Sequence, residues 1–263
     1  MYNKIPLFQV DAFTNQLFRG NPAAVCITDK WLSDDLMQQI AAENNLAETA
    51  FIVPMGSDFG LRWFTPEIEV DLCGHATLAA GYVLFYYYNI KDNVIHFHSK
   101  NSGILNVKRD GDLLTLDFPV DEIHPCEIPN ELTRASIHPV ETWKGKTDYM
   151  LVFSSQEEIE SFKPDMNILN QIEARGIIIT APGKETDFVS RFFAPRSGVP
   201  EDPVTGSAHT TLTPYWALKL HKTELTARQL SKRKGDLNCK LNGDRVEITG
   251  QARLYLVGEI TIQ

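Results

Sequence analysis

The sequence has no Cys-x-x-Cys pair, no Gly-x-Gly-x-x-Gly, no Gly-x-Ser-x-Gly and no apolar run approaching the roughly 20 residues that span a bilayer. Each absence removes a class of function. Four cysteines, Cys26, Cys73, Cys126 and Cys239, lie far apart, which argues against a disulfide framework or a zinc knuckle and makes reduced thiols the expectation. Nothing in the text asks for a nucleotide cofactor, a metal or any other cofactor, and no nucleophile elbow marks a hydrolase. Met1-Tyr2-Asn3-Lys4-Ile5-Pro6 carries no apolar stretch with a small-residue cleavage site, so the expected location is cytoplasmic, with no membrane partner. Positive charge is scarce too: 25 basic residues face 34 acidic ones, and the net charge of −9 repels a phosphate backbone. The only basic cluster is Lys232-Arg233-Lys234 in a Gly-terminated turn, so nucleic acid is not an expected partner.

What the chain does have is an internal repeat. Arg62-Trp63-Phe64-Thr65-Pro66 returns as Arg191-Phe192-Phe193-Ala194-Pro195, an offset of 129, and Cys73-Gly74-His75-Ala76-Thr77 returns as Thr205-Gly206-Ser207-Ala208-His209, an offset of 132. A three-residue insertion in the second copy reconciles the two. Two copies of about half the chain each predict a pseudo-twofold pair of domains, with the functional site expected in the cleft between them. The Pro-punctuated stretch 119–140 reads as a linker between a first domain, 1–118, and a second, 141–263, whose last strand is free to pack on the first.

The local pattern gives short strands at 7–11, 23–27, 49–53 and 61–64, and a surface helix that starts at Ser33 as N-cap and ends near Asn44-Asn45. Residues 76–88 carry no charge on any face, and a helix apolar all round is a buried helix. Strands at 94–99, 104–109 and 113–118 follow, the last two joined through Asp110-Gly111-Asp112. The second half repeats this order: strands at 149–153, 176–180 and 188–193, then an apolar helix over 207–220 that Pro214 is expected to kink or shorten. A meander through Asn242-Gly243-Asp244 closes the chain. The pattern describes, twice over, a curved sheet wrapped about one central helix.

Chemistry is expected where each central helix begins. The free N–H groups at a helix start, with the positive dipole end behind them, bind anions without lysine or arginine, and Gly74 and Gly206 let a ligand approach that backbone. A tight strand-to-helix turn alone explains a glycine, but packing does not call for polar His75 and Ser207 at the matching places. Glu48 stands among Leu46, Ala47, Ala50 and Phe51, and a partly desolvated carboxyl is suited to take and return a proton near neutrality. A surface Glu at a strand edge is the plainer reading of that window. Asp202 precedes Gly206 by four residues, either to orient a histidine or a substrate amine or to form an Asx-turn before Pro203. His96 and His98 share a strand face but lack a nearby third ligand, so no metal site is expected there.

Taken together, Asp11-Ala12-Phe13-Thr14, Gly20-Asn21-Pro22-Ala23-Ala24-Val25, Leu46-Ala47-Glu48-Thr49-Ala50-Phe51, the Arg62 and Cys73 motifs, and Glu201-Asp202-Pro203-Val204-Thr205-Gly206-Ser207-Ala208-His209 resemble the PhzF family of phenazine-biosynthesis-like isomerases. The motifs span nearly the whole chain in order. The resemblance implies an α+β, diaminopimelate-epimerase-like fold of two similar domains, mixed strands wrapping a buried helix in each. It also implies proton transfer without a cofactor on a small carboxylate substrate, with Glu48, His75 and Asp202 as catalytic residues and Asn21, Gly74, Ala76, Thr205, Gly206 and Ser207 lining the substrate pocket. The epimerase cousins use two facing thiols. Cys73 fits the first position, but Thr205 holds the second and its hydroxyl is too weak an acid for that role. The leading expectation is therefore an isomerase, with an amino-acid epimerase or a catalytically silent acid-binding protein as alternatives, assembled as a homodimer in keeping with soluble enzymes of this size.

Overall fold

Strands rich in β-branched and aromatic residues outnumber helices in residues 3–262, the part of the chain that this computed structural model describes. They form two units, Met1–Asp117 with Thr249–Gln263, and Phe118–Ile248. Residues 119–140 thus lie in the second unit, and the last strand returns to the first.

The first unit runs β1 (Asn3–Ala12), β2 (Asn21–Ile27), α1 (Asp34–Asn44), β3 (Glu48–Met55), β4 (Asp58–Phe64), β5 (Glu69–Val70), α2 (Gly74–Tyr87), β6 (Val94–Ser99), β7 (Gly103–Asp110) and β8 (Leu113–Pro119), with β18 (Ala252–Ile262) added from the far end of the chain. Its sheet is mixed. β1 pairs antiparallel with both β18 and β2, β2 parallel with β3, β3 antiparallel with β4, β4 parallel with β6, and β6 antiparallel with β7. The two parallel steps each need a crossover, supplied by α1 and α2. Ser33 caps α1 through Leu36 N–H at 3.3 Å, and Asn45 ends it in the left-handed region at φ 49°. Gly111 sits at φ 57° in the tight β7–β8 hairpin, as expected there.

α2 is buried from Gly74 through Gly81 and again at Val83, Leu84 and Phe85, which is what its uncharged sequence requires. Sheet and helix approach so closely that a Cβ on Gly81 would lie 2.7 Å from Val107 Cγ1 on β7.

The second unit contains β9 (His124–Pro125), α3 (Asn130–Arg134), β10 (Glu141–Lys144), β11 (Asp148–Val152), α4 (Gln156–Ser161), α5 (Met166–Leu169), β12 (Gly176–Pro182), β13 (Phe188–Ala194), β14 (Val199–Asp202), α6 (Ala208–Leu220), β15 (Glu224–Gln229), β16 (Gly235–Asn242) and β17 (Arg245–Gly250). Its pairing repeats the first unit's senses: β10 antiparallel to β11, β11 parallel to β12, β12 antiparallel to β13, β13 parallel to β15, β15 antiparallel to β16. The sequence repeat is thus a structural one. Arg62 makes a bidentate pair with Glu69 and lies 5.2 Å from the Phe64 ring; Arg191 does the same with Glu201 and lies 4.9 Å from Phe193.

Of the two expected effects of Pro214, a kink or a shortening, the second does not occur: α6 runs from Ala208 to Leu220 with Pro214 inside it. Without an N–H, Pro214 leaves the Thr210 carbonyl, four residues earlier, with no helical donor. The Asp121 N–H fills that place at 3.2 Å, and Asp121 Oδ2 accepts from Thr211 Oγ1 at 2.8 Å. The segment expected as a linker therefore supplies the bond that the proline removes.

The tight approach of α2 to β7 gives a stability prediction with a change of sign. Gly81→Ala lowers unfolding free energy by about 1–3 kcal/mol through overpacking against Val107. In a Val107→Gly background, which removes the Cβ at 3.0 Å as well as both methyls, the same change raises stability by about 0.5–1 kcal/mol, the ordinary gain of Ala over Gly in a helix. Urea unfolding of the four proteins checks both signs.

Candidate active site

The parallel pairing of β2 and β3 sets Glu48 opposite Ala23, two residues into β2, so that both strands begin on one side of the unit. Asn21, the first residue of β2, and Glu48, the first of β3, both meet His75 at the start of α2. His75 Nε2 lies 3.2 Å from Glu48 Oε2, and Asn21 Nδ2 lies 3.0 Å from His75 Nδ1. Cys73 Sγ is 3.5 Å from the same Nδ1. The imidazole is buried, at 3 % exposure, whereas the Glu48 side chain is 16 % exposed.

The Glu48 and His75 atoms are at ion-pair distance but not aligned as a hydrogen bond, and neither has a hydrogen-bond partner among the described residues. Such a pair is poised for a third group to complete it. Burial opposes charge on His75, but the neighbouring acidic groups outweigh it and hold the imidazole well above the usual histidine range. Of those groups, Cys73 is a neutral thiol at neutral pH, because burial and the nearby Glu48 push it up to about 11, so Glu48 is the effective partner. The Asn21 amide meets Nδ1 with its NH₂ when the ring is neutral or, turned over, with its oxygen when the ring is protonated. That contact follows the proton rather than fixing it.

Glu48, Cys73 and His75 offer donor atoms within 4.8 Å of one another. The thiol meets Nδ1 and the carboxylate meets Nε2, so the ring separates the two instead of sharing one nitrogen with both. His96 and His98, by contrast, have separate partners in Asn106 and Asp58, both at 2.7 Å.

In the second unit Asp202 ends β14 and accepts from Thr205 Oγ1 at 2.6 Å. Gln229 braces the turn, its Oε1 accepting from Thr205 N–H at 2.8 Å and its Nε2 donating to the Asp202 carbonyl at 2.6 Å. Asp202 therefore shapes the turn ahead of the helix, by way of a threonine hydroxyl. Ser207 is the N-cap residue of α6 and its Oγ accepts from Arg175 Nη1 at 3.0 Å. Thr77, one turn into α2, and His209, the second residue of α6, both donate to the carbonyl four residues back, at 2.6 and 2.8 Å. Burial holds His209 down to about 4, so it is a neutral structural group.

The residues singled out in the sequence thus form two groups: Asn21, Glu48, Gly74, His75 and Ala76 in the first unit, and Asp202, Thr205, Gly206 and Ser207 in the second. Gly74 opens α2 and Ala76 is fully buried behind it. Sequence reading missed Arg175 and Gln229. Aligning the strands finds the first: Phe51 lies opposite Arg62 and Ile179 opposite Arg191, which matches Glu48 with Gly176, next to Arg175.

A profile of the phenazine biosynthesis-like proteins matches residues 10–258. The chain belongs to that family. An uncharacterized isomerase of Pseudomonas aeruginosa is 49 % identical over 98 % of this chain and 99 % of its own length. The crystal structure of a PhzF family protein of Enterococcus faecalis superposes with a TM-score of 0.95 at 44 % identity, covering 98 % of this chain and 99 % of that one. A hydroxyproline epimerase of Agrobacterium vitis shares only the fold, at a TM-score of 0.65 and 10 % identity over 98 % of this chain and 92 % of that one. The family carries the diaminopimelate-epimerase-like α+β fold, and this chain's relatives are named as isomerases. Among the described residues no helix is long and apolar enough to cross a membrane.

The His75 setting predicts a pH dependence of stability. Its folded pKa is raised above the unfolded value of about 6.5, so the contribution is full below that value and is lost as pH rises towards the folded pKa. Glu48→Gln removes the raising charge and moves that loss to lower pH. Urea unfolding between pH 6 and pH 10, wild type beside Glu48→Gln, measures the shift.

Proposed function

We propose that this family member is a cofactor-independent isomerase that moves a proton on a small carboxylate substrate by general acid/base catalysis. The observation that carries the reading is the Glu48–His75 pair, brought together at the start of a buried helix with facing atoms that have no hydrogen-bond partner among the described residues. Glu48 abstracts an acidic C–H proton and returns it at another carbon, while His75 holds the carboxylate in place and steadies its charge. The half-buried setting of Glu48 serves both directions of transfer. The N–H groups at the start of α2 take up the enolate-like charge that develops, and in the second unit Ser207 is suited to receive a carboxylate.

An amino-acid epimerase of the two-thiol kind has less support. Cys73 is a buried thiol beside a carboxylate, and its counterpart Thr205 already gives its hydroxyl to Asp202. The 10 % identity to the hydroxyproline epimerase carries the fold and not the chemistry.

Proton NMR in D₂O on a panel of cyclic diene acids and amino acids tests the reading. Wild type should exchange or move a proton on at least one cyclic diene acid, and Glu48→Gln should slow it by roughly 10²–10⁴-fold. Activity that survives in Glu48→Gln overturns the choice of base. Inversion at a single carbon identifies an epimerase, and ligand retention without exchange identifies a silent binding protein.

A further inference from the structure

The two units treat the residue after the helix-start glycine in opposite ways. In the first, a carboxylate faces it: Glu48 at 3.2 Å from His75. In the second a cation does so, with Arg175 Nη1 donating to Ser207 Oγ at 3.0 Å. The matched strand registers make Gly176 the counterpart of Glu48, so Arg175 reaches the second helix start from one residue earlier.

Arg175 is held firmly for that purpose. Its Nε and Nη2 make a bidentate pair with Asp148, which is 1 % exposed, and its backbone N–H donates to Thr147 O at 2.9 Å. The guanidinium carbon lies 5.3 Å from the Phe192 ring centre. That ring fits only because residue 176 is glycine, since a Cβ there would lie 2.2 Å from Phe192 Cζ. Burial opposes the charge, yet the Asp148 hydrogen bonds outweigh it and keep the guanidinium above its ordinary value.

We propose that Arg175 is a positioning residue that aims the Ser207 hydroxyl at a substrate carboxylate, so that this site selects acids over their neutral analogues; this rests on the reading that Ser207 receives the carboxylate. A serine hydroxyl has one proton to donate. By accepting from Arg175, Ser207 Oγ spends a lone pair on the protein side and leaves its O–H to donate outward, polarised by the cation. Nη1 and Nη2 each keep an N–H beyond these bonds. Because Asp148 cancels the net charge, Arg175 acts by hydrogen-bond direction, and lysine does not replace its planar fork.

The test uses cyclohexa-1,4-diene-1-carboxylate and its primary carboxamide as probes, with affinities from titration calorimetry for wild type, Arg175→Lys, Ser207→Ala and the double variant. Arg175→Lys keeps a charge beside Asp148, and the neutral pair Arg175→Met with Asp148→Asn provides a second variant free of a buried unpaired carboxylate. Both should weaken carboxylate binding about tenfold and leave carboxamide binding unchanged. The double variant Arg175→Lys with Ser207→Ala should bind no more weakly than Ser207→Ala alone. Carboxylate binding that falls in Ser207→Ala but holds in both Arg175 variants overturns the role of Arg175 and leaves the Ser207 reading intact. Equal loss of both probes, or additive losses in the double variant, also overturns it. Wild type that binds the acid no better than the amide, or Ser207→Ala that binds it like wild type, overturns the carboxylate reading and this inference with it.

Discussion

The burial of a largely apolar helix is the constraint from which the rest of each unit follows. A helix without a polar face gains nothing from solvent, so strands must cover it on every side. Mixed pairing does this, because each parallel step forces a crossover, and the second crossover in each unit is the buried helix itself. The remaining difficulty lies at its N-terminus, where backbone N–H groups have no helical partner. Whatever sits there has to answer those groups. In the first unit His75 with Glu48 and Asn21 occupies the place, and in the second Ser207 with Arg175. The chemistry of both sites is thus set where the packing rule leaves polar groups to be satisfied.

Local signals were readable in proportion to how local their causes are. Ser33 and Asn45 announced both ends of α1, and Gly111 and Gly243 announced their hairpins, because a cap or a positive φ is decided by one or two residues. α2 was readable from the absence of charge. β15 was not, because its inward positions are Leu225, Ala227 and Gln229, and an alanine and a glutamine do not look like a core. Gln229 is nevertheless fully buried, since its amide is spent on Thr205 and Asp202. The role of 119–140 was also hidden. A Pro-rich polar stretch looks like a linker until Asp121 is seen to take the carbonyl that Pro214 leaves behind, across a separation no local window contains.

The site was half readable for the same reason. Repeat and motif picked out Glu48, His75, Asp202 and Ser207, but not what holds them. Arg175 lies outside both repeated motifs and gains its meaning only from strand register. Asp202 was expected either to orient a histidine or an amine or to form an Asx-turn before Pro203, and it accepts from the hydroxyl of Thr205.

Duplication followed by divergence explains why the two helix starts differ so much in chemistry while their frames differ so little. The frame is fixed by geometry that tolerates little change: Arg62 with Glu69, and Arg191 with Glu201, brace equivalent strands with the same bidentate fork over the same aromatic position. The helix starts are free of that demand. A thiol pair would need both copies to keep a cysteine that ionises, yet Cys73 is pushed up to about 11 by burial and by the Glu48 charge. Burial first, and the Glu48 charge second, keep Cys73 a thiol, and that same charge, beside Cys73, helps to raise His75. Acid/base work by Glu48 and thiolate work by Cys73 therefore exclude each other in this unit, and a threonine at 205 costs the second unit nothing.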